Sequence, residues 1–184
     1  LPGQVDPKGR SGIAYLLPPG AGGLGPTDHV AAHAARDILA RGGLKVSLSD
    51  DLGQTYGRVS ALSLTHMAGL ELAGWSFKGF RDNAGQGRVL AKAAAQEAMA
   101  IVAHQYGLPF DAVGARRMAG MGPLVTRIAP LVPSIKLEPY LAFHFSKVGG
   151  QTRTVLRDYI QMAREANLPS SAIQDLLTAL EKLD

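Results

Sequence analysis

The chain lacks cysteine, long apolar runs and blocks of one charge. None of its 184 residues is cysteine, which excludes disulfides, thiolate metal sites and a cysteine nucleophile. No apolar run approaches the roughly 20 residues that span a bilayer. The first residues also lack the charged-then-apolar order of a signal peptide. We therefore expect a cytoplasmic protein with no membrane partner.

The basic residues outnumber the acidic ones but are scattered. The chain has 19 Lys and Arg against 15 Asp and Glu, a formal net charge of +4, and its longest basic run is Arg116-Arg117. This distribution fits a small anionic substrate better than a nucleic-acid groove, so we expect no nucleic-acid partner. An apolar content of 46% is enough for a buried core.

Short strand and helix patterns alternate over the first 50 residues. An apolar run over residues 13–17 is ended by Pro18-Pro19, which favours a strand over a helix. The further expected elements are a loop over residues 20–26, a helix capped by Thr27 or Asp28 and closed by Gly42-Gly43, and a second strand over residues 44–48.

After Asp50 the periodicity becomes helical. The expected helices cover residues 52–73, 84–106, 110–130 with breaks, 136–147, 151–166 and 170–183. Two of these helices are expected to end in a similar way. A residue that tolerates the left-handed conformation stands two positions before a proline in Gly107-Leu108-Pro109 and in Asn167-Leu168-Pro169. The fold class is therefore mainly α, a helical bundle over residues 51–184 preceded by a short α/β segment over residues 1–50.

A glycine pattern in the first segment has the spacing of a dinucleotide-binding turn. Gly20, Gly22 and Gly25 fit G-x-G-x-x-G between an expected strand and an expected helix, where glycines admit a pyrophosphate to a helix N-terminus. Pro26 removes one backbone N–H from that helix start, and no further strand–helix–strand unit follows Asp50. We favour a plain glycine-rich connection and keep nucleotide binding by these glycines as an alternative.

Several stretches, in order, resemble one enzyme family. They are residues 13–26, residues 35–51, Gln96-Glu97-Ala98 with Gly107-Leu108-Pro109, and residues 145–153 with 163–169. Together they resemble the ketopantoate reductase family. The resemblance implies that residues 51–184 form a helical substrate-binding and dimerisation domain like the C-terminal domain of 6-phosphogluconate dehydrogenases, and that residues 1–50 end a nucleotide-binding domain.

The same resemblance implies an NAD(P)-dependent oxidoreductase that acts on a small keto or hydroxy acid as a homodimer. NADP or NAD is expected in the intact protein. Because the chain begins with Leu and most of a nucleotide domain is missing from it, we expect a fragment that binds no cofactor and has no activity alone.

The catalytic positions depart from the family pattern. The family carries a lysine that donates a proton, followed by two asparagines at successive helical turns. Here Val59, Ser63 and Met67 occupy those positions, and Gln151 replaces a family glutamate. The proton donor is therefore absent, which leaves a catalytically inactive binding or oligomerisation module of the same fold as the alternative function.

Two groups of side chains are candidates for a site. His66 lies on the helical face of Ser63 and could donate the proton, so these two are the catalytic candidates. Arg58 adjoins the position of the family lysine and could bind a substrate carboxylate through two hydrogen bonds. Lys147, Gln151 and Arg153 are the other substrate-binding candidates, because cations and an amide around a helix start suit an anion. The alternatives are a half-buried histidine bonded to a neighbouring carbonyl, and cations that are merely solvated.

We expect no functional site at four further titratable residues. His29 and His33 have the i, i+4 spacing of a helical metal pair but no third ligand, so we expect no metal. Glu97 lies on an apolar stripe and should be a partly buried carboxylate with a structural partner. His144 lies among aromatic residues and should pack in the core.

Overall fold

The computed structural model describes residues 22–131, 136–147 and 149–183. The chain divides into two compact units, Leu1–Thr55 and Tyr56–Asp184. The division falls a few residues after the expected boundary at residue 50, inside the first turns of a long helix. The strand expected over residues 13–17 lies outside the described residues.

The described part of the first unit contains two strands and a helix. Strand β1 (Gly22–Leu24), helix α1 (Val30–Arg41) and strand β2 (Val46–Leu48) follow one another, and the strands pair in parallel with Gly22 opposite Val46. The helix between them is the crossover that a parallel pair requires. Both α1 and β2 confirm the sequence expectation, including the stop at Gly42-Gly43, where Gly43 has a φ of +84°.

Two details of this unit correct the sequence interpretation. Residues Gly22–Leu24 were expected to be loop, but their backbone groups pair with β2, and such pairing needs no characteristic side chain. The cap of α1 is His29 and not Thr27 or Asp28, because the His29 Nδ1 accepts a hydrogen bond from Ala31 N at 3.2 Å.

Helices make up the second unit, which is mainly α as expected. They are α2 (Leu52–Leu72, which begins in the first unit), α3 (Phe77–Arg81), α4 (Gly87–Gln105), α5 (Ala112–Ala119), α6 (Gly122–Ile128), α7 (Leu137–Ser146), α8 (Gly149–Ala166) and α9 (Ser171–Glu181), with 3₁₀ turns at Ala84–Gln86 and Ala129–Leu131. The two expected stops are confirmed: Gly107 and Asn167 have φ values of +61° and +53° just after α4 and α8.

The core is built around α4, which packs against α5, α8 and α9. The face of α4 is rich in alanine, and small side chains let neighbouring helices approach closely; its fully buried alanines are Ala91, Ala94, Ala95, Ala98 and Ala103. Larger residues from α8 and α9 fill the space opposite, among them Leu156, Ile173 and Leu176.

Glu97 joins two of these helices. Its carboxylate accepts a hydrogen bond from Ile173 N at 3.0 Å and another from Ser171 Oγ at 3.4 Å. It therefore satisfies one backbone donor in the first turn of α9, as an N-cap side chain does. This confirms the expected structural partner of a partly buried carboxylate.

Helix α7 differs from the expectation in its exposure. His144 does contact aromatic neighbours, with ring centroids 5.7 Å from Tyr140 and 5.0 Å from Phe145. It is nevertheless exposed, and no described residue of α7 is fully buried. The prediction that His144 packs in the core is therefore wrong, because the aromatic cluster lies at the surface.

No helix in the described part of the chain is both long and apolar enough to cross a lipid bilayer.

Candidate functional site

An apolar pocket opens between helices of the second unit. Its volume is about 370 Å³, within the usual range for small-molecule sites. The lining residues come from α2, α3, α5, α6 and α7 and from the residues beside α6: Leu62, Ser63, His66, Met67, Leu70, Phe77, Phe80, Met118, Met121, Gly122, Val125, Thr126, Ala129, Leu137 and Leu141.

The floor of the pocket is buried and part of its rim is exposed. Leu70, Phe77 and Phe80 are buried members of a small core cluster against which Met67 and Leu137 pack. Met121 and Val125, in contrast, are about half exposed. A ligand would therefore enter past the side chains of α6 and rest on the aromatic floor.

The polar side chains of the pocket are mostly bonded within the protein. The His66 Nδ1 lies 2.8 Å from Leu62 O, and its Nε2 lies 3.1 Å from Ala119 O. The Thr126 hydroxyl donates to Pro123 O at 3.1 Å. The Thr126 hydroxyl and one N–H of the His66 ring are therefore taken up by backbone carbonyls, and most of the pocket lining is apolar.

The geometry at His66 favours the structural interpretation over the catalytic one. Both ring nitrogens face carbonyl oxygens, which only accept hydrogen bonds, and neutral imidazole has a single N–H to donate. Each ring nitrogen lies within hydrogen-bonding distance of a carbonyl oxygen of the protein. A general acid must reach the atom that it protonates, so His66 would first have to break a bond to the backbone.

Some of the expected site residues do come together. Ser63, His66 and Met67 all line the pocket, as their shared helical face predicts. Val59, one turn before Ser63, is 53% exposed and is not among the lining residues. The helical spacing therefore located one wall of the pocket but not its chemistry.

The expected substrate-binding residues are not among those that line the pocket. Arg58 approaches Pro109 O at 3.4 Å, Lys147 Nζ lies 3.8 Å above the Phe143 ring, and Gln151 is exposed on α8. A common anion site formed by Arg58, Lys147, Gln151 and Arg153 has no support in these contacts.

Arg153 is buried and bonded to protein groups. Its guanidinium forms an ion pair with Glu71 at 3.0 Å and donates to Leu180 O at 2.9 Å and to Gly149 O at 3.2 Å. Its side chain is only 8% exposed. Because these bonds connect α2, α8 and α9, the geometry favours a structural role for Arg153 over substrate binding.

The two described glycines of the G-x-G-x-x-G pattern, Gly22 and Gly25, have roles in the backbone of the first unit. Gly22 lies in β1, and a Cβ at Gly25 would come 2.1 Å from Ser49 O, so Gly25 is needed for backbone packing. Gly20 lies outside the described residues. The Asp50 carboxylate, which would hold the ribose, accepts hydrogen bonds from the hydroxyl and the backbone N–H of Thr27, and these bonds lower the pKa of Asp50.

The paired histidines of the first unit are engaged with backbone atoms. His29 caps α1, and His33 Nε2 lies 2.7 Å from Thr27 O. Within residues 22–131, 136–147 and 149–183, no three His, Asp or Glu side chains are grouped closely enough to hold a metal ion.

Sequence reasoning missed the second half of the pocket wall. Met118, Met121 and Val125 belong to a stretch without an assigned role, and their place depends on how α5 and α6 pack against α2. One signal was available: Gly122 and Thr126, one turn apart, are small residues among large apolar ones, a spacing typical of a helix face in close contact.

Comparison of the chain with protein-family models, curated proteins and solved structures gives no match. The resemblance to the ketopantoate reductase family therefore stays a prediction.

Proposed function

We propose that the second unit binds a small, largely apolar molecule in the pocket between α2, α3, α6 and α7. The observation that carries this proposal is a pocket of about 370 Å³ in which His66 and Thr126 are already bonded to backbone carbonyls. Binding would then draw on the removal of apolar surface from water, about 0.8 kcal/mol per buried methylene group.

The character of the pocket argues against a short anionic keto acid as its ligand. No Lys or Arg is among the described residues that line it. A carboxylate moved from water into an apolar site without a partner loses far more free energy than a short carbon skeleton gains. The expected small anionic substrate therefore fits this pocket poorly, and an uncharged aliphatic or aromatic group fits it well.

Calorimetric titration with two ligand series tests the proposal. For n-alkanols of increasing length, we expect the affinity to rise about fourfold per added methylene until the pocket is full. For short 2-keto acids we expect no measurable heat. Binding of the keto acids without binding of the alkanols would contradict an apolar ligand.

The second candidate is the domain that the family resemblance implies. Under this candidate function, the second unit is the substrate-binding and dimerisation domain of an NAD(P)-dependent oxidoreductase. Its fold would be like that of 6-phosphogluconate dehydrogenase C-terminal domains, and the whole protein would be a cytoplasmic homodimer. One observation favours it: Ser63, His66 and Met67, the positions assigned to the substrate face, line one pocket. This candidate requires a nucleotide site outside the described residues.

Between these candidates we favour binding without catalysis. Val59 and Met67 stand where the family has a proton donor and an orienting amide, and His66 is held by the backbone. A melting experiment with NADPH tests the choice, since a ligand at 100 times its Kd stabilises by about 2.7 kcal/mol. We expect no shift for this chain; a shift, together with NADPH oxidation by 2-keto acids that His66→Ala abolishes, would support the oxidoreductase.

A further inference from the structure

Helix α6 turns its small residues inward and its large apolar residues outward. Gly122 and Thr126 are buried, whereas the large apolar residues on the other side are 49–76% exposed. We call these exposed residues, together with the end of the following 3₁₀ turn, the α6 apolar face: Met121, Leu124, Val125, Ile128 and Leu131. A surface helix of a globular protein usually has the opposite arrangement.

This face is continuous with the mouth of the pocket. Isolated exposed apolar residues are common on protein surfaces, but five of them on successive turns mark an interaction surface. Met121 and Val125 belong both to the α6 apolar face and to the pocket lining. Whatever covers the face therefore also covers the entrance.

The charged residues that flank the face in the sequence are positive. From residue 112 to residue 137 the sequence contains no Asp or Glu, and its four cations are Arg116, Arg117, Arg127 and Lys136. All four are exposed. The nearest following acid, Glu138, is engaged as an acceptor of the Phe77 backbone N–H at 2.6 Å.

We propose that the α6 apolar face docks on an anionic lipid surface. Exposed apolar side chains flanked by arginines are the combination by which interfacial helices insert below the headgroups while their cations bind anionic lipids. A second copy of the chain docked through the same face would bring its cations close to those of the first copy, and they would repel each other. A partner helix needs a groove, and this face is the outer side of a short helix.

The proposal departs from the sequence-based expectation of no membrane partner. That expectation rested on the absence of a spanning segment, and docking on a surface requires none. It is also independent of the proposed function, because the face can bind lipid whether or not the pocket holds a ligand.

Sedimentation with lipid vesicles tests the docking. We expect the 184-residue chain to bind phosphatidylcholine vesicles that contain phosphatidylserine and to bind pure phosphatidylcholine weakly. Raising the salt from about 0.1 M to 1 M shortens the screening length from about 10 Å to about 3 Å and should reduce the binding. Absence of sedimentation with either vesicle would overturn the proposal.

Three variants locate the contact. Leu124→Asp should abolish vesicle binding, and Arg127→Gln should lower the partition coefficient about fivefold. Val89→Asp, at a valine of α4 that is 54% exposed, is the matched control and should leave binding unchanged. Circular dichroism checks that each variant is folded. If Leu124→Asp unfolds, Leu124→Ser replaces it and should weaken vesicle binding.

Two outcomes would overturn the assignment of the face to lipid. One is a loss of vesicle binding in Val89→Asp that is as large as the loss in Leu124→Asp. The other is that light scattering shows a dimer, that Leu124→Asp dissociates this dimer, and that the protein does not bind vesicles. The face would then be an interface between two copies of the chain. Because Leu124 is not a lining residue, Leu124→Asp should still bind alkanols, which separates failure of the docking from failure of the proposed function.

Discussion

At the scale of single residues, the buried polar side chains hold helices together. Arg153 and Glu97 each connect helices by bonds to side chains and backbone. The sequence predicted a structural partner for Glu97 but a substrate-binding role for Arg153. Only the identity of the partner separates a substrate-binding arginine from a structural one. Since Glu71 and Leu180 are far from Arg153 in sequence, the pattern alone could not supply that partner.

Removing Arg153 should be far more destabilising than removing its neighbour Arg157. Arg153→Met leaves Glu71, only 16% exposed, without its partner, and loss of one member of a buried pair costs about 3–5 kcal/mol. Arg157→Met removes an exposed ion pair with Glu181, which joins α8 to α9, and should cost about 0–1 kcal/mol. Urea unfolding measures both, and similar losses would show that Arg153 is not a structural centre.

The bond between Thr27 and Asp50 should make the first unit sensitive to acid. The Thr27 hydroxyl and backbone N–H hold the pKa of Asp50 below its ordinary value of 3.8. A lowered pKa in the folded state means that the stabilisation is fully present above about pH 4 and is lost as the pH falls through the folded-state pKa. An NMR titration of the Asp50 carboxyl carbon should give a midpoint below 3.8, and Thr27→Val should raise it; an unchanged midpoint in Thr27→Val would contradict the account.

At the scale of elements, helical periodicity predicted most of the second unit. Helices α2, α4, α7, α8 and α9 begin and end within a few residues of their expected bounds because their apolar stripes are long and their stops are distinct. Helix α3 was missed since five residues are too few to show a period. It depends on local capping, in which the Ser76 hydroxyl accepts a hydrogen bond from Gly79 N at 3.1 Å.

The contact between α2 and α4 depends on a glycine. A Cβ at Gly69 would lie 2.5 Å from Gly87 O and 2.6 Å from Ala91 Cβ, so Gly69→Ala must separate the helices. We expect a loss of about 1–3 kcal/mol, which exceeds the gain of up to about 1 kcal/mol in helix propensity. Gly150→Ala in α8, where a Cβ meets nothing within 4 Å, should leave stability unchanged or raise it. Thermal melting compares the two, and equal stability would contradict close packing at Gly69.

At the scale of the whole molecule, the sequence located one wall of the candidate site. Ser63, His66 and Met67 follow from spacing along a single helix, which local rules predict well. The opposite wall comes from α5, α6 and α7, whose positions are set by long-range packing rather than by any local pattern. The apolar character of the pocket appears only when both walls are seen together, which is why the ligand class differs from the anionic substrate expected at first.

Filling the pocket tests the central claim most directly. Val125 lines the pocket, whereas Leu124, next to it on α6 and similarly exposed, does not. Val125→Trp should therefore displace part of a bound n-octanol molecule. If roughly two methylenes of the octanol lose their burial, at about 0.8 kcal/mol each, its affinity falls at least about tenfold. Leu124→Trp should leave the calorimetric affinity unchanged. Equal affinities in both variants, or equal losses in both, would contradict binding in this pocket.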